Sequence, residues 1–288
     1  MKPMNPMKTE KHYLNGLYFE VKGTGEPMIF LHGIGSSHAM FEPQVDFFSL
    51  TNQTITVDLK GNGKSESVPT SKYLSVHFES LLEVYKFLGI EKAVVVGVSY
   101  GGIVAQSFAI EHPDKVKGLV LIDTYAQLFP KSLPEVRLTL FGALILAASW
   151  MPSKMVLPFF SRWKKWDLAY KQLEEVFQNW RAKDVSRQLL EVFGMNLLEK
   201  VEKLNIPVLA IVGDAMETVV EKAKEIEAHF PNCKLRIIKD SADPTNLCQP
   251  DEVNDEIFAF MTKDKEDKRI QEILKEKAEP VPAVEVVR

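Results

Sequence analysis

Short, wholly apolar segments alternate with segments of helical spacing along most of this chain. The clearest apolar runs are MIFL, AVVVGV, GLVLI and PVLAIV, which begin at residues 28, 93, 118 and 207. Strands that are buried on both faces are continuously apolar, and helices between them form the crossovers of a parallel sheet. The pattern predicts an α/β fold with a mostly parallel central sheet and helices on both faces.

A hairpin and six further strands are predicted along the chain. HYLNGLYFEVKGTGEP, which begins at residue 12, predicts two strands joined at Asn15-Gly16, because this dipeptide favours tight hairpin turns. Six strands then follow at residues 28–33, 54–58, 93–99, 118–123, 207–213 and 234–240. Counting the two hairpin strands, residues 118–123 form the sixth strand and residues 207–213 the seventh. Between these two strands the alternation stops, and residues 124–205 are helix-like and rich in Trp, Leu and Phe. We interpret this segment as a helical cap inserted after the sixth strand.

These breaks divide the chain into four predicted parts. Residues 1–123 and 206–262 form the two parts of the core, residues 124–205 form the cap, and residues 263–288 form a charged tail. The formal net charge of −4, with both signs mixed, offers no basic surface for nucleic acid. The two cysteines have neither metal-ligand nor redox spacing, and the N-terminal residues contain no apolar signal segment. A cytoplasmic protein is therefore expected.

A serine between two glycines stands where a predicted strand meets a predicted helix. In VVVGVSYGGIVAQ, residues 94–106, Ser99 lies two residues from Gly97 and two from Gly101. So tight a turn strains the serine backbone and leaves no room for side chains at the two flanking positions. The hydroxyl is then exposed at the carboxyl edge of the sheet, beside a helix N-terminus. Ser99 is therefore the predicted nucleophile.

A second glycine-containing loop supports this interpretation. His32-Gly33-Ile34-Gly35 follows the apolar run MIFL at residues 28–31, whose carboxyl end lies at the same edge of the sheet. Backbone N–H groups aimed at one point stabilise the negative oxygen that forms when a carbonyl is attacked. The N–H groups of Ile34 and Tyr100 are the predicted pair of donors, which together form an oxyanion hole.

On the motifs FLHGIGSS, VDLKGNGKS, VGVSYGG and LVLID, the chain resembles the α/β-hydrolase superfamily. The resemblance covers roughly residues 12–262 and is strongest to cap-bearing, bacterial members that are serine esterases or lipase-like hydrolases. It implies the α/β-hydrolase fold and an ester hydrolase or related acyl-transfer enzyme. It also implies a catalytic triad in the order Ser, then Asp or Glu, then His.

The other two triad positions depart from that pattern. The acid position, three residues after Gly213, is occupied by Met216, and the histidine position by Asp243. None of the six histidines follows residue 229. An ordinary aspartate has a pKa near 3.9, which makes it a poor proton acceptor at neutral pH unless apolar surroundings raise that pKa. Loss of one triad member lowers turnover by about 10⁴ to 10⁶.

Other residues are candidates for the missing roles. Asp214 and Glu217 flank the acid position and are candidate displaced acids. His38, in the loop after the oxyanion turn, is the candidate displaced base, and His77 is a weaker one. Asp123, at the end of the sixth strand, stands where some relatives have their acid. A structural role is the more frequent explanation for each of these residues, and an aspartate at position 123 more often fixes the loop.

No cofactor and no metal are expected. GNGKS, residues 61–65, looks like the end of a phosphate-binding loop, but Asp58 stands where that pattern requires its first glycine. Gly33-x-Gly35 has His38 where a dinucleotide-binding pattern requires its third glycine.

The predicted cap is unusually apolar. LTLFGALILAASWMPSKMVLPFF begins at residue 138 and is accompanied by six basic residues, Lys131, Arg137, Lys154, Arg162, Lys164 and Lys165. We expect a roof over a pocket that binds a small apolar or ester-containing molecule. Packing onto the core and contact with a membrane surface remain alternatives.

Two functions stay open from the sequence. The first is a serine ester hydrolase or related acyl-transfer enzyme with a non-standard or degenerate triad. The second is a catalytically inactive protein of the same fold that binds a small apolar ligand or a protein partner. The strained turn at Ser99 and the oxyanion loop, residues 32–35, favour the first, and the residues at the acid and histidine positions favour the second.

Overall fold

A single mixed sheet organises the protein. The structure is a computed structural model that describes residues 8–127, 130, 132–148 and 150–262. Within those residues eight strands are hydrogen-bonded in the order β1-β2-β4-β3-β5-β6-β7-β8. They are β1 (Glu10–Leu14), β2 (Leu17–Lys22), β3 (Glu26–Leu31), β4 (Asn52–Asp58), β5 (Ala93–Val98), β6 (Val116–Ile122), β7 (Val208–Gly213) and β8 (Cys233–Ile238).

Strands β3 to β8 are parallel, and the N-terminal hairpin adds the two antiparallel strands. β1 pairs with β2 so that Leu14 lies opposite Leu17, and β2 in turn pairs antiparallel with β4. Asn15 and Gly16 have φ angles of 47° and 74°, the left-handed conformation that a two-residue hairpin loop requires. The predicted hairpin and the mostly parallel sheet are both confirmed.

Helices cover both faces of the sheet. The α-helices are α1 (Glu42–Phe48), α2 (Tyr73–Leu88), α3 (Tyr100–Glu111), α4 (Leu133–Ala148), α5 (Ser153–Val156), α6 (Asp167–Asn179), α7 (Ala182–Val192), α8 (Leu198–Val201), α9 (Glu217–His229), α10 (Thr245–Cys248) and α11 (Pro250–Thr262). Two 3₁₀ helices span His38–Phe41 and Leu157–Lys165. None of the described helices is long and apolar enough to cross a membrane.

The apolar strands are buried on both sides because their side chains alternate between two clusters. In β3, Ile29 and Leu31 belong to the cluster that includes residues of α2 and α3. Met28 and Phe30 belong to the cluster that includes residues of α1 and α11. Fully burying one such side chain stabilises a fold by about 1.5–3 kcal/mol, so the continuous apolar pattern needs a helical layer on each face.

Helices α4 to α8 and the second 3₁₀ helix lie between β6 and β7, and we call residues 133–201 the helical insertion. In this insertion the carboxylate of Asp184 is buried and accepts hydrogen bonds from Ser67 Oγ at 2.5 Å and Tyr73 Oη at 2.7 Å. Arg181 donates to the carbonyl oxygens of Ser65 at 2.6 Å and Gly63 at 2.8 Å. These bonds attach the insertion to the loop after β4 and to the first residue of α2.

The predicted boundaries of the four parts stay predictions. The structure contains helices throughout most of the segment interpreted as a cap, residues 124–205. The predicted charged tail, residues 263–288, lies outside the described residues.

The turn between β5 and α3 leaves no space for side chains beside Ser99. A Cβ atom on Gly97 would lie 2.5 Å from the carbonyl oxygen of Gly101. A Cβ atom on Gly101 would overlap the backbone carbonyl of Leu31. Because both obstacles are backbone atoms, neither can move aside without displacing β3 or α3.

We therefore expect Gly101→Ala to destabilise the protein by about 3 kcal/mol or more, through overpacking against the β3 backbone. Gly142→Ala in α4 is the matched control, because its Cβ atom would meet nothing within 4 Å. That change should stabilise the protein by about 0.5–1 kcal/mol through helix propensity. Urea unfolding measures both changes, and an unaltered midpoint for Gly101→Ala would contradict the steric account.

Candidate active site

Ser99 occupies a strained turn at the carboxyl end of β5. Its φ and ψ angles are 51° and −115°, a conformation that non-glycine residues rarely adopt. Its N–H group donates to the carbonyl oxygen of Ile122 at 2.8 Å. Its own carbonyl oxygen accepts from the N–H of Gly102 at 3.0 Å and from Thr124 Oγ1 at 2.7 Å. These bonds hold the turn, and the support from Thr124 was not predicted from the sequence.

The oxyanion loop lies against this turn. A Cβ atom on Gly33 would stand 3.6 Å from the Cβ of Ser99. The N–H groups of Ile34 and Tyr100 have no acceptor among the hydrogen bonds of the described residues. Two free backbone donors on the two segments that flank Ser99 are what a developing oxyanion requires.

The helical insertion packs directly onto the oxyanion loop. Gly35 has a φ angle of +69°, and a Cβ atom there would lie 2.8 Å from the Trp180 ring. The next residue, Ser36, accepts a hydrogen bond at its Oγ from Gln172 Nε2 at 2.8 Å. The position of the loop beside Ser99 is therefore set partly by two residues that sequence reasoning did not identify, Gln172 and Trp180.

Asp123 joins three loops at the carboxyl edge. It directly follows β6, whose last residue Ile122 pairs with the residue before Ser99. Its carboxylate accepts from the Thr245 N–H at 2.6 Å, from Thr245 Oγ1 at 2.9 Å and from the Gly213 N–H at 3.2 Å. Burial raises the pKa of Asp123 to about 6, against the opposing effect of these donors. The structure thus gives Asp123 a position that ties the ends of β6 and β7 to the loop after β8.

Asp243, at the predicted histidine position, lies in that loop and close to Asp123. Its backbone carbonyl accepts from Trp163 Nε1 at 2.9 Å, while its carboxylate accepts no hydrogen bond from the described residues. Surrounding protein atoms, followed by the like charge of Asp123, raise the pKa of Asp243 well above its ordinary value. Asp243 is exposed to solvent, which weakens the desolvation effect, whereas repulsion from Asp123 persists.

The residues around the predicted acid position face solvent. Met216 is exposed, as are Asp214 and Glu217 on either side of it. Asp214 Oδ1 accepts from the Ser241 N–H at 3.3 Å, which links the loop after β7 to the loop that carries Asp243. No hydrogen bond among the described residues joins Asp214 or Glu217 to Ser99.

His38, the candidate displaced base, is engaged with other carboxylates. Its Nδ1 lies 2.8 Å from Asp58 Oδ1 and its Nε2 lies 3.3 Å from Glu20 Oε1. It also lines a cavity of about 270 Å³ that opens beside β2 and β4 and does not include Ser99. The structure therefore brings His38 to Asp58 and Glu20 rather than to Ser99.

His77 is buried beside Tyr100, the predicted oxyanion donor. Its Nε2 lies 3.2 Å from Tyr100 Oη, while its Nδ1 has no partner among the described residues. Burial, and then the neighbouring His32, lower the pKa of His77 to about 3, so the ring is neutral at pH 7. No hydrogen bond among the described residues connects any imidazole to Ser99 Oγ.

Four aromatic rings of the helical insertion form a continuous row, which we call the aromatic row. Ring centroids are separated by 5.4 Å between Trp163 and Phe160, 5.1 Å between Phe160 and Phe177, and 5.6 Å between Phe177 and Trp180. At one end of the row Trp180 packs on Gly35, which follows β3. At the other end Trp163 donates a hydrogen bond to the carbonyl oxygen of Asp243, which follows β8. Because β5, β6 and β7 lie between β3 and β8, the two ends of the row are attached on either side of the strand that leads to Ser99.

A larger cavity lies at the opposite edge of the sheet. Its volume is about 660 Å³, and its lining includes Val116, Leu204 and Pro207 at the amino ends of β6 and β7. It contains none of the predicted site residues. The site is therefore assigned from the geometry around Ser99 and not from cavity size. The expectations of no cofactor, no metal and no nucleic-acid partner stay predictions.

Comparison with known proteins gives a consistent family. A family model described as "alpha/beta hydrolase fold" matches residues 26–203. That range includes Ile34, Ser99 and Tyr100, and it ends before Met216 and Asp243.

Curated relatives of the chain are hydrolases by name. "Putative carbamate hydrolase RutD" of Caulobacter sp. (strain K31) is 24% identical over 260 residues, which are 86% of this chain and 97% of the relative. "3-oxoadipate enol-lactonase 1" of Acinetobacter baylyi is 23% identical over 232 residues, which are 78% of this chain and 84% of the relative. The solved structure of an esterase from Thermogutta terrifontis has a TM-score of 0.74 and 22% identity, covering 89% of this chain and 98% of the esterase chain.

We expect Asp243→Asn to stabilise the folded protein at neutral and alkaline pH. Because the pKa of Asp243 is higher in the folded than in the unfolded protein, the folded state resists ionisation of this group. The contribution of Asp243 to the free energy of unfolding is therefore complete below the unfolded pKa, about 3.9, and is lost as pH rises through the folded pKa. The variant should therefore gain stability over the wild type as pH rises from about 4.

Urea unfolding at a series of pH values measures this difference. Glu91→Gln is the control, since Glu91 is an exposed carboxyl group outside the site. A stability difference between Asp243→Asn and wild type that does not change with pH would contradict the repulsion between Asp123 and Asp243.

Proposed function

The chain belongs to the α/β-hydrolase fold family, and on that premise we propose that it is a serine ester hydrolase or related acyl-transfer enzyme. The observation that carries the proposal is the hydroxyl-bearing turn at Ser99, flanked by the free N–H groups of Ile34 and Tyr100. A helix N-terminus directly after the serine adds a positive electrostatic potential for the oxyanion.

The proposed reaction begins with attack of Ser99 Oγ on a carbonyl carbon. The new C–O bond moves an electron pair onto the carbonyl oxygen, which accepts hydrogen bonds from Ile34 and Tyr100. The serine proton passes to a base, and the leaving alkoxide departs with a proton as the tetrahedral intermediate collapses. Water then hydrolyses the acyl-serine ester and restores the hydroxyl.

Asp243 is the proposed proton acceptor. It stands at the position where the family has its histidine, in a loop held by Asp123 through Thr245. A carboxylate with a raised pKa binds a proton more strongly than an ordinary one, so the like charge of Asp123 makes Asp243 a better base. Even so, a carboxylate is less suited than an imidazole to return the proton to the leaving group. We therefore propose a non-standard triad with slow turnover.

The aromatic row indicates the substrate class. A site covered by Phe160, Phe177 and Trp180 favours an apolar acyl or aromatic group over a sugar or a phosphate. The Trp180 indole Nε1 is a donor that is buried and has no partner among the described residues. The names of the relatives denote a carbamate hydrolase and an enol-lactonase, whose substrates contain an acyl carbon bonded to a heteroatom. We carry over only that class of bond.

The second candidate function is binding without catalysis. It is favoured by one observation, that no imidazole among the described residues is hydrogen-bonded to Ser99 Oγ. In that case the protein would hold a small apolar ligand beside Ser99 without turning it over. Reactivity of the serine hydroxyl separates the two functions.

A fluorophosphonate should label Ser99 at a rate that rises with pH, because Asp243 accepts a proton only when ionised. Ser99→Ala should remove labelling, and Asp243→Asn should slow it and abolish its pH dependence. Ser186→Ala is the matched control, because Ser186 donates to the Ala182 carbonyl within α7, away from the site. Intact-protein mass spectrometry follows the reaction. If wild type stays unlabelled, binding without catalysis is the better account.

The double change Met216→Asp with Asp243→His should raise ester hydrolysis at least about 100-fold, since an imidazole oriented by a carboxylate transfers protons in both directions. The backbone carbonyl at position 243 keeps its bond from Trp163, so the loop is retained. Each single change serves as a control and should give much less. Steady-state hydrolysis of a p-nitrophenyl ester measures the gain. Equal activity of wild type and the double variant would contradict a pocket that lacks only its proton relay.

A further inference from the structure

One face of α4 exposes large apolar side chains to solvent. Leu133, Leu140 and Leu144 are 77%, 58% and 67% exposed, and their spacing of seven and four residues places them along one side of the helix. Val136 lies on the same side and is also exposed. A helix that packs on a protein core turns such a stripe inwards, whereas here it points away from the core.

Further large apolar side chains are exposed in the segment that follows α4 in the chain. Trp150, Met155 and Phe159 are 62%, 54% and 84% exposed, and Met151 is exposed beside Trp150. We call the whole set the 133–159 surface: Leu133, Val136, Leu140, Leu144, Trp150, Met151, Met155 and Phe159. Single exposed apolar residues are ordinary, but eight within one stretch of the chain are unusual and favour an interaction site.

The segment that carries these apolar residues has a net positive charge, whereas the chain as a whole is negative. Residues 130–166 contain six basic side chains and one acidic side chain, Glu135, in a chain of formal net charge −4. Glu135 forms an ion pair with Lys222 at 3.0 Å. Among the described residues, Arg137, Lys154 and Arg162 are exposed and have no acidic partner, whereas Lys165 is paired with Asp240. The apolar surface therefore carries unneutralised positive charge.

We propose that the 133–159 surface binds to an anionic lipid bilayer surface. Apolar side chains at this density are buried at the boundary between headgroups and acyl chains, and Trp150 is typical of that boundary. Arg137, Lys154 and Arg162 lie close enough along the chain to face acidic headgroups. A second copy of this chain fits less well, because two such surfaces would bring positive charges together.

Binding there would place the candidate active site near the lipid. Trp163 and Trp166 follow the 133–159 surface in the chain, and they donate to the carbonyl oxygens of Asp243 and Asp240. The loop that carries Asp243 is thus attached to the segment that would touch the bilayer. The inference does not depend on the proposed function, since binding to vesicles requires no catalysis.

Sedimentation with lipid vesicles tests the proposal on the full chain. We expect the protein to bind vesicles of phosphatidylcholine mixed with phosphatidylglycerol, to bind less at high salt, and to bind weakly to phosphatidylcholine alone. Leu144→Gln should weaken binding about ten-fold or more. Leu190→Gln is the matched control, because Leu190 is 69% exposed on α7, outside the 133–159 surface.

A second pair of variants tests the charge. Lys154→Gln should weaken binding about five-fold at low salt, and Lys200→Gln, an exposed lysine of α8, should leave it unchanged. Absence of sedimentation with the anionic vesicles overturns the proposal, as does equal loss in the variants and their controls. A concentration-dependent dimer in ultracentrifugation that Leu144→Gln dissociates, without vesicle binding, would assign the surface to a second copy instead.

Discussion

Steric exclusion at the turn between β5 and α3 is the constraint on which the rest of the site depends. Gly101 packs so closely on the backbone of Leu31 that α3 must begin directly against the end of β3. That contact brings the loop after β3 beside Ser99 and leaves the N–H groups of Ile34 and Tyr100 free on either side of it. The strain at Ser99 persists because apolar strands buried on both faces hold the sheet around the turn.

A buried carboxylate holds the other half of the site together without an imidazole. Asp123 receives three hydrogen bonds from Thr245 and Gly213, so its negative charge is compensated within the fold. The neighbouring carboxylate of Asp243 has no such donors among the described residues and faces the charge of Asp123 directly. Two neighbouring acidic groups resist simultaneous ionisation, which is why Asp243 binds a proton more strongly than an ordinary aspartate.

The helical insertion has two different apolar sides. Its inner side presents the aromatic row, which joins the oxyanion loop at Trp180 to the Asp243 loop at Trp163. Its outer side presents the exposed leucines of α4, accompanied by basic residues. A helix that is apolar on all sides normally has neighbours on all sides. The inner side supports the proposed apolar substrate, and the outer side supports the proposed binding to a lipid surface.

Much of the fold and half of the site could be predicted from the sequence, because they depend on residues close together in the chain. Hydrophobic periodicity and apolar runs predicted where the strands lie, and the spacing of Gly97, Ser99 and Gly101 predicted the turn. The role of the acidic residues could not be predicted, because Asp123 and Asp243 meet only when strands far apart in sequence become neighbours in the sheet. Likewise the sequence placed His38 near the correct edge, but side-chain direction decided that it pairs with carboxylates of β2 and β4. Steric constraints between residues close together in the chain can be predicted from the sequence. The electrostatic environment of a side chain is decided by tertiary packing, because charge interactions depend on distances through space.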